Sequence, residues 1–375
     1  MCPLREKRKN MNKVFSILLL LCASANLLIA QNIDLSSVDA FLDVTTTLRE
    51  GKKVSEEQWR NFDSSKVYKV YANREDKTVI NIVKTSINIT FGKDTMNLKD
   101  SVLNISQEEM NNNKVLMFKK LVLANYMDIN ENYDAIKKFR ETYDFNALIE
   151  KSKQRLSSFL NTPLDSSVSF SPVYFFFINA DGKAKEDVIY IDLNLVYKIT
   201  EQQRIDFFAH EFFHNYREHF ENHNFNYKCD LNSVIDLISN EGIADLIDKT
   251  DGYEKYYTEV IGMPDMVKLM VKLYNQADKD LERFQNSILK YSKDEISEDK
   301  LIDDVIEIVK INGHPMGAFM ANQIVKAGYR DEMIKEFYNP YKFYYLYNKA
   351  AKKNNVFQFS NEFMAYLESI TKDYY

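Results

Sequence analysis

The chain has 375 residues, 45% of them hydrophobic and 13% aromatic, enough to bury one large core or two smaller ones. That composition excludes wholesale disorder. A net charge of −6 and a pI near 5.6 leave no basic face to neutralise a phosphate backbone, which argues against nucleic acid as a partner.

Residues 1–30 read as an export signal. Arg5, Lys7, Arg8, Lys9 and Lys13 precede the apolar run VFSILLLLCASANLLIA, which ends in small residues. Met11 begins a complete signal of its own, MNKVFSILLLL. Cleavage is compatible with Ala25 and with Ala30, and Ala30, before Gln31, is preferred. The alternative is an uncleaved anchor, since the run approaches the roughly 20 residues that a membrane span needs. Leu21 stands before Cys22 where a lipoprotein signal wants a small residue. Of Cys2, Cys22 and Cys229, signal removal leaves Cys229 alone, so no internal disulfide framework is available. An exported protein of this kind, periplasmic, extracellular or surface-associated in a bacterium, relies on its core and on any metal it binds. No further apolar run is long enough for a membrane span.

Residues 31–165 follow as a helical region. Apolar residues recur at helical spacing, Ser36 and Ser55 sit where N-caps would, and Gly51 stands as a C-terminal stop. The pattern changes at SPVYFFFINADGKAKEDVIYIDL. Two β-branched and aromatic runs, residues 172–178 and 187–192, flank Ala180-Asp181-Gly182 and predict a hairpin. Thr200 is the next N-cap candidate, and helices continue to the end with breaks near Gly252, Gly262-Met263-Pro264, Gly313 to Pro315 and Asn339-Pro340. The fold class is therefore α+β, mostly α: an N-terminal helical region, then a region at 166–375 built on a small sheet.

Within DFFAHEFFHNY, at 206–216, His210 and His214 lie about 40° apart on one helix face and one turn apart along it, so both imidazoles can meet one ion. Glu211, about 100° round from His210, is placed to hold a water and take its proton. Phe207, Phe208, Ala209, Phe212 and Phe213 make the helix apolar on most of its circumference, and a glutamate beside two histidines there is costly without a metal or hydrogen bonds. A catalytic zinc also needs a third protein ligand. The metzincin continuation would place Gly at 217 and His at 220, where the chain has Arg217 and Phe220. His219 and His223, about 140° and 180° away, point off the metal face as solvated positions. Downstream, Asn240-Glu241-Gly242-Ile243-Ala244-Asp245 lies in a periodic apolar stretch.

HEFFH followed by NEGIAD resembles the gluzincin pattern, HExxH with a downstream NExxAD helix, as in thermolysin-like metallopeptidases. The chain as a whole, with LREGKKVSEEQW, AHEFFH, EGIADLID and GHPMG, looks more like uncharacterised bacterial families labelled zinc-dependent peptidases. The gap between His214 and Glu241 is longer than in thermolysin. The resemblance implies a zincin-like region with two zinc-binding helices and one Zn2+ per chain. It implies His210, His214 and Glu241 as ligands and Glu211 as general base. Asp245 would accept a hydrogen bond from the far nitrogen of a ligand histidine, with Asn240 in similar support. It also implies a sheet edge beside the cleft, for which residues 187–192 are the candidate, a plain structural hairpin being the alternative. His314, in Gly313-His314-Pro315-Met316-Gly317, is the candidate oxyanion donor. The alternative there is a loop histidine before a helix-starting proline. The aromatics of FYNPYKFYYLY, Phe337 to Tyr347, are expected in the core rather than in a substrate groove, and DEISEDKLIDD, Asp294 to Asp304, as a solvated helix start rather than a calcium loop.

The resulting expectation is an exported zinc metallopeptidase acting on peptides or proteins. A non-catalytic zinc-stapled scaffold and a hydrolase of a non-peptide amide or ester are the readings it has to be tested against.

Overall fold

The computed structural model describes residues 33–93, 96–106, 109, 113–179, 182–185, 188–220, 230–261 and 264–371. The export signal with its cleavage sites, His223 and Cys229 lie outside them. The chain opens with β1 (Ile33–Asp34) and α1 (Ser36–Arg49), then α2 (Glu56–Ser64), α3 (Lys66–Ala72), α4 (Thr78–Phe91) and α5 (Met96–Leu103). Three longer helices follow: α6 (Lys114–Glu131), α7 (Tyr133–Thr142) and α8 (Phe145–Leu160). Next come β2 (Val173–Phe176), β3 (Gly182–Lys185), β4 (Val188–Asp192), α9 (Leu193–Lys198), α10 (Glu201–Glu218) and α11 (Asp230–Asp248). Beyond α12 (Tyr253–Tyr256) a π-helical turn at Tyr257–Ile261 leads into α13 (Pro264–Ser292) and α14 (Glu298–Ile308). The chain closes with α15 (His314–Lys326), α16 (Arg330–Lys335), α17 (Pro340–Asn354) and α18 (Asn361–Thr371).

Local chemistry sets several of these boundaries. Ser55 and Thr200 each form a capping box, with Gln58 and Gln203, so that two backbone donors at the helix start are satisfied reciprocally. Ser36 is instead the first residue of α1, and Asp34 accepts from its backbone N–H, taking the cap role assigned above to the serine. Gly51 adopts φ +74° just past α1, a left-handed turn that favours glycine. Asn339 caps α17 ahead of Pro340, and Ser297 caps α14 within the acidic stretch.

The sheet differs from the predicted hairpin. Its order is β1-β2-β4-β3. β2 and β4, the two apolar runs, pair in parallel with Val173 opposite Ile189, because the segment between them is long enough to return the chain to its starting end. The antiparallel partner of β4 is β3, with Lys185 opposite Val188. Gly-Lys-Ala-Lys lacks the β-branched and aromatic residues that mark a strand, and pairing to β4 overrides its weak propensity. The candidate edge at residues 187–192 is thus corrected: β4 is interior, and β3 and β1 are the edges. β1 pairs with β2, so the region expected to be wholly helical contributes one short strand.

One buried cluster runs from Val38 to Leu367 and takes side chains from both sides of residue 165. Polar ties accompany it. The hydroxyls of Tyr68 and Tyr126 both donate to Phe177 O at 2.9 Å, and buried Asp192 accepts from Asn125 Nδ2 and from Ile178 N. Phe337, Phe343, Tyr344 and Tyr347 are buried as expected of core aromatics, whereas Tyr345 is exposed. Among the described residues no helix is long and apolar enough to cross a membrane.

α11 and α15 cross at closest approach through Gly242 and Gly317. A β-carbon at Gly317 would fall on the Ile238 carbonyl and lie 2.9 Å from Gly242 Cα. Both obstacles are backbone, so a helix has to move. Gly317→Ala is expected to destabilise the fold by about 1–3 kcal/mol, the range for overpacking. Denaturant unfolding measures it, and an unchanged midpoint would show that the crossing has slack.

Candidate metal centre

α10 is amphipathic only in part. Phe207, Phe208, Phe212 and Phe213 are buried around it, and His210 and Glu211 go inside with them, at 4% and 5% exposure. α11 lies alongside, fixed by a clasp: Arg217, fully buried, donates from Nη1 to Asp236 Oδ2 at 3.0 Å and from Nε to Phe337 O at 3.0 Å. Arg155 of α8 reaches both helices, through Asp206 Oδ1 at 2.6 Å and Ile247 O at 2.9 Å.

This packing brings His210, His214 and Glu241 together. The two Nε2 atoms are 3.1 Å apart, and Glu241 Oε2 lies 3.7 Å from that of His210 and 3.3 Å from that of His214. His210 Nδ1 donates to Asp248 Oδ1 at 3.1 Å and His214 Nδ1 to Asn240 Oδ1 at 2.9 Å. With both Nδ1 protons committed to acceptors, the Nε2 lone pairs converge on the same spot. Glu241 Oε2 is buried there without a hydrogen bond. Two converging lone pairs and a buried carboxylate oxygen call for a cation, and two histidines with one glutamate are a zinc donor set. The residues fit the metal. His214 and Glu241 keep 14% and 13% side-chain exposure, leaving one side of the group open to solvent.

His314, the first residue of α15, faces the same spot. Its Nε2 is 3.4 Å from Glu241 Oε2, and its Nδ1 donates to Asp245 Oδ1 at 2.9 Å. The turn before it is strained: Ile311, Asn312 and Gly313 all have positive φ, an outlier for a β-branched residue. Asp245 thus orients His314. The carboxylate at hydrogen-bond distance from His210 is Asp248, with Asp245 at 3.9 Å. Glu241, Asp245 and Asp248 fall at i, i+4 and i+7 on one face of α11, a spacing from which Asp248 could have been read. Lys249 and Tyr253 complete the surroundings. Lys249 Nζ is 2.7 Å from Asp245 Oδ1 and 2.9 Å from Asp248 Oδ2, and the Tyr253 hydroxyl lies against Asp245 and the His314 carbonyl. Neither residue carries a motif signal. His219 is exposed just beyond α10.

The charges are mutually determined. Burial and Lys249 oppose the charged form of His210, but the Asp248 and Glu241 carboxylates together outweigh them and hold the imidazole well above its ordinary value. Burial likewise opposes a charged Glu241, and His214 and His314 more than reverse this, keeping it well below the carboxylate range. His314 is raised against burial by Asp245 and Glu241, and Asp248 is lowered against burial by Lys249 and His210. A proton and a metal compete for His210 Nε2, so metal affinity falls as the pH drops through the raised value of that imidazole.

Fold and site together define a mostly helical α+β protein with a two-histidine, one-glutamate centre on a clasped helix pair. Residues 59–356 match the family described as "Putative zinc dependent peptidase (DUF5700)", and the chain belongs to that family. The zinc dependence in that description agrees with the donor set of α10 and α11. Neither a curated protein nor a solved structure matches the chain.

Proposed function

We infer that the protein is an exported zinc metallopeptidase of gluzincin type that hydrolyses peptide bonds in peptides or proteins. The observation that carries this reading is the convergence of His210 Nε2, His214 Nε2 and Glu241 Oε2, with both histidines fixed from behind by Asp248 and Asn240. His210, His214 and Glu241 would hold the zinc, which when bound would supply the Lewis acidity that a water nucleophile needs near neutral pH. Glu211, next to His210 on the buried helix, takes the proton from that water and returns it to the leaving amine. His314, steadied by Asp245, donates a hydrogen bond to the oxyanion that develops on the substrate carbonyl. An extended substrate adds as a strand along β3, the outer strand on the side of the sheet that meets α10. One zinc per chain suffices, and the signal at residues 1–30 directs the enzyme out of the cytoplasm.

The test is a mixed peptide library incubated with the zinc-loaded protein and read by mass spectrometry. Cleavage at a consistent set of side chains is the expected outcome. A library left uncut by protein carrying one zinc per chain would overturn the peptidase reading in favour of a scaffold or a non-peptide substrate.

A further inference from the structure

Behind the three ligand atoms lies a second acidic group. Asp245, Asp248 and Nδ1 of His210 stand close enough together to hold a cation of their own. They meet the Lys249 ammonium, 2.7 Å from Asp245 Oδ1 and 2.9 and 3.0 Å from the two oxygens of Asp248. The lysine side chain is 5% exposed, and its ammonium also lies 4.6 Å from the centre of the Tyr256 ring. A lysine so buried is kept only where carboxylates and a π face replace its water. Each carboxylate in turn holds one imidazole by Nδ1: Asp248 holds His210, and Asp245 holds His314. The Nε2 atoms of both imidazoles then face one oxygen, Glu241 Oε2, at 3.7 and 3.4 Å.

We propose that Lys249 is the resident cation of this second group, a positioning residue that occupies the place of a second metal and through Asp248 and Asp245 aims His210 and His314 at the same point. The continuous chain His210, Asp248, Lys249, Asp245, His314 joins a ligand on α10 to a side chain on α15 whose ring stacks on that ligand, with centroids 6.0 Å apart, and fixes both rings from behind at Nδ1. His214 stands outside it, held by Asn240. The proposal rests on the reading of the zinc centre given above, and it makes one prediction that needs no zinc.

The experiment compares metal-free wild-type protein with Lys249→Met, each labelled with 15N in histidine, by two-bond proton–nitrogen correlation of the ring nitrogens. In wild type, His210 and His314 are each expected to show a protonated Nδ1 bonded to its carboxylate. In Lys249→Met both are expected to become mixed or to shift while His214 keeps its signals. Zinc affinity, measured by competition with a chromogenic chelator, is expected to fall about 10–100-fold as His210 loses its orientation. Unchanged signals for His210 and His314, or equal disturbance of all three histidines, would overturn the proposal. If wild type binds no zinc, the reading of the centre fails while the nitrogen signals still decide the role of Lys249. Should Lys249→Met not fold, the double variant Asp248→Asn/Lys249→Met removes one charge of each sign and carries the test. His314 touches neither substituted side chain, so the reading there is its Nδ1, which is expected to lose its hydrogen-bonded signal from Asp245, and an unchanged Nδ1 overturns the proposal.

Discussion

Glu211→Gln is expected to bind zinc as tightly as the natural chain and to lose roughly 10²–10⁴-fold or more in hydrolysis, the range for removing a positioned proton carrier. The residue lies in the continuous buried stretch of α10 from Phe207 to Phe213, beside His210, so its side chain is held inside the protein. Glutamine matches it in size and shape and brings no charge that needs desolvating, so the helix and its neighbours have no reason to move. What glutamine cannot do is accept a proton from water. Initial rates on any peptide that the library experiment shows to be cut, beside the zinc content of both proteins, separate these effects. Equal rates would remove Glu211 from the reaction, and loss of zinc together with loss of rate would make it a structural residue of the centre.

The second large effect is expected in the last turn of the same helix. Arg217→Leu should lower stability by about 3–5 kcal/mol, the magnitude for stranding one half of a buried ion pair. Its guanidinium is fully buried and satisfies Asp236 of α11 and the Phe337 carbonyl, so its loss leaves a carboxylate and a carbonyl without their donor. Arg217→Leu/Asp236→Leu should recover a large part of the loss, because the pair is removed whole. Urea unfolding of the two variants and the wild type checks this, and a single variant as stable as wild type would mean that other contacts hold α10 to α11. The clasp stands apart from the metal ligands. Chelating the metal is therefore expected to leave the helix pair assembled.

How much of this was legible in the sequence depended on whether a residue acts through its own helix or through a neighbour brought from afar. His210 and His214 were readable as neighbours because helical spacing places them, and Glu241 through the resemblance of NEGIAD to the gluzincin pattern. Ser55 and Thr200 were readable because a cap is a local hydrogen bond. β3 was not: Gly182 to Lys185 become a strand only because β4 offers them a ladder. The parallel pairing of β2 and β4 depends on the path of the connecting segment, which carries no pairing signal. The carboxylates show the same limit more finely. Spacing places Asp245 and Asp248 on one face, but which histidine each receives is decided by α15, which brings His314 to Asp245 and leaves Asp248 to His210. In the sequence Arg217 carries meaning only as the residue that breaks the metzincin pattern, and its clasp requires Asp236, nineteen residues on in the chain.

The glycine contact between α11 and α15 has a bearing on how substrate reaches the centre. With Ile238 and Gly242 of one helix touching Gly317 of the other, backbone against backbone, the two helices have no compressible layer between them. They cannot slide past each other as side-chain-cushioned helices do, and they behave as a single solid part that carries Glu241, Asp245 and His314 together. On the proposed peptidase reading, opening and closing around a peptide would come from the pieces that face this block, such as the β3 edge. The block itself acts as an anvil: Glu241, Asp245 and His314 keep one fixed separation, and any closing movement belongs to the other jaw.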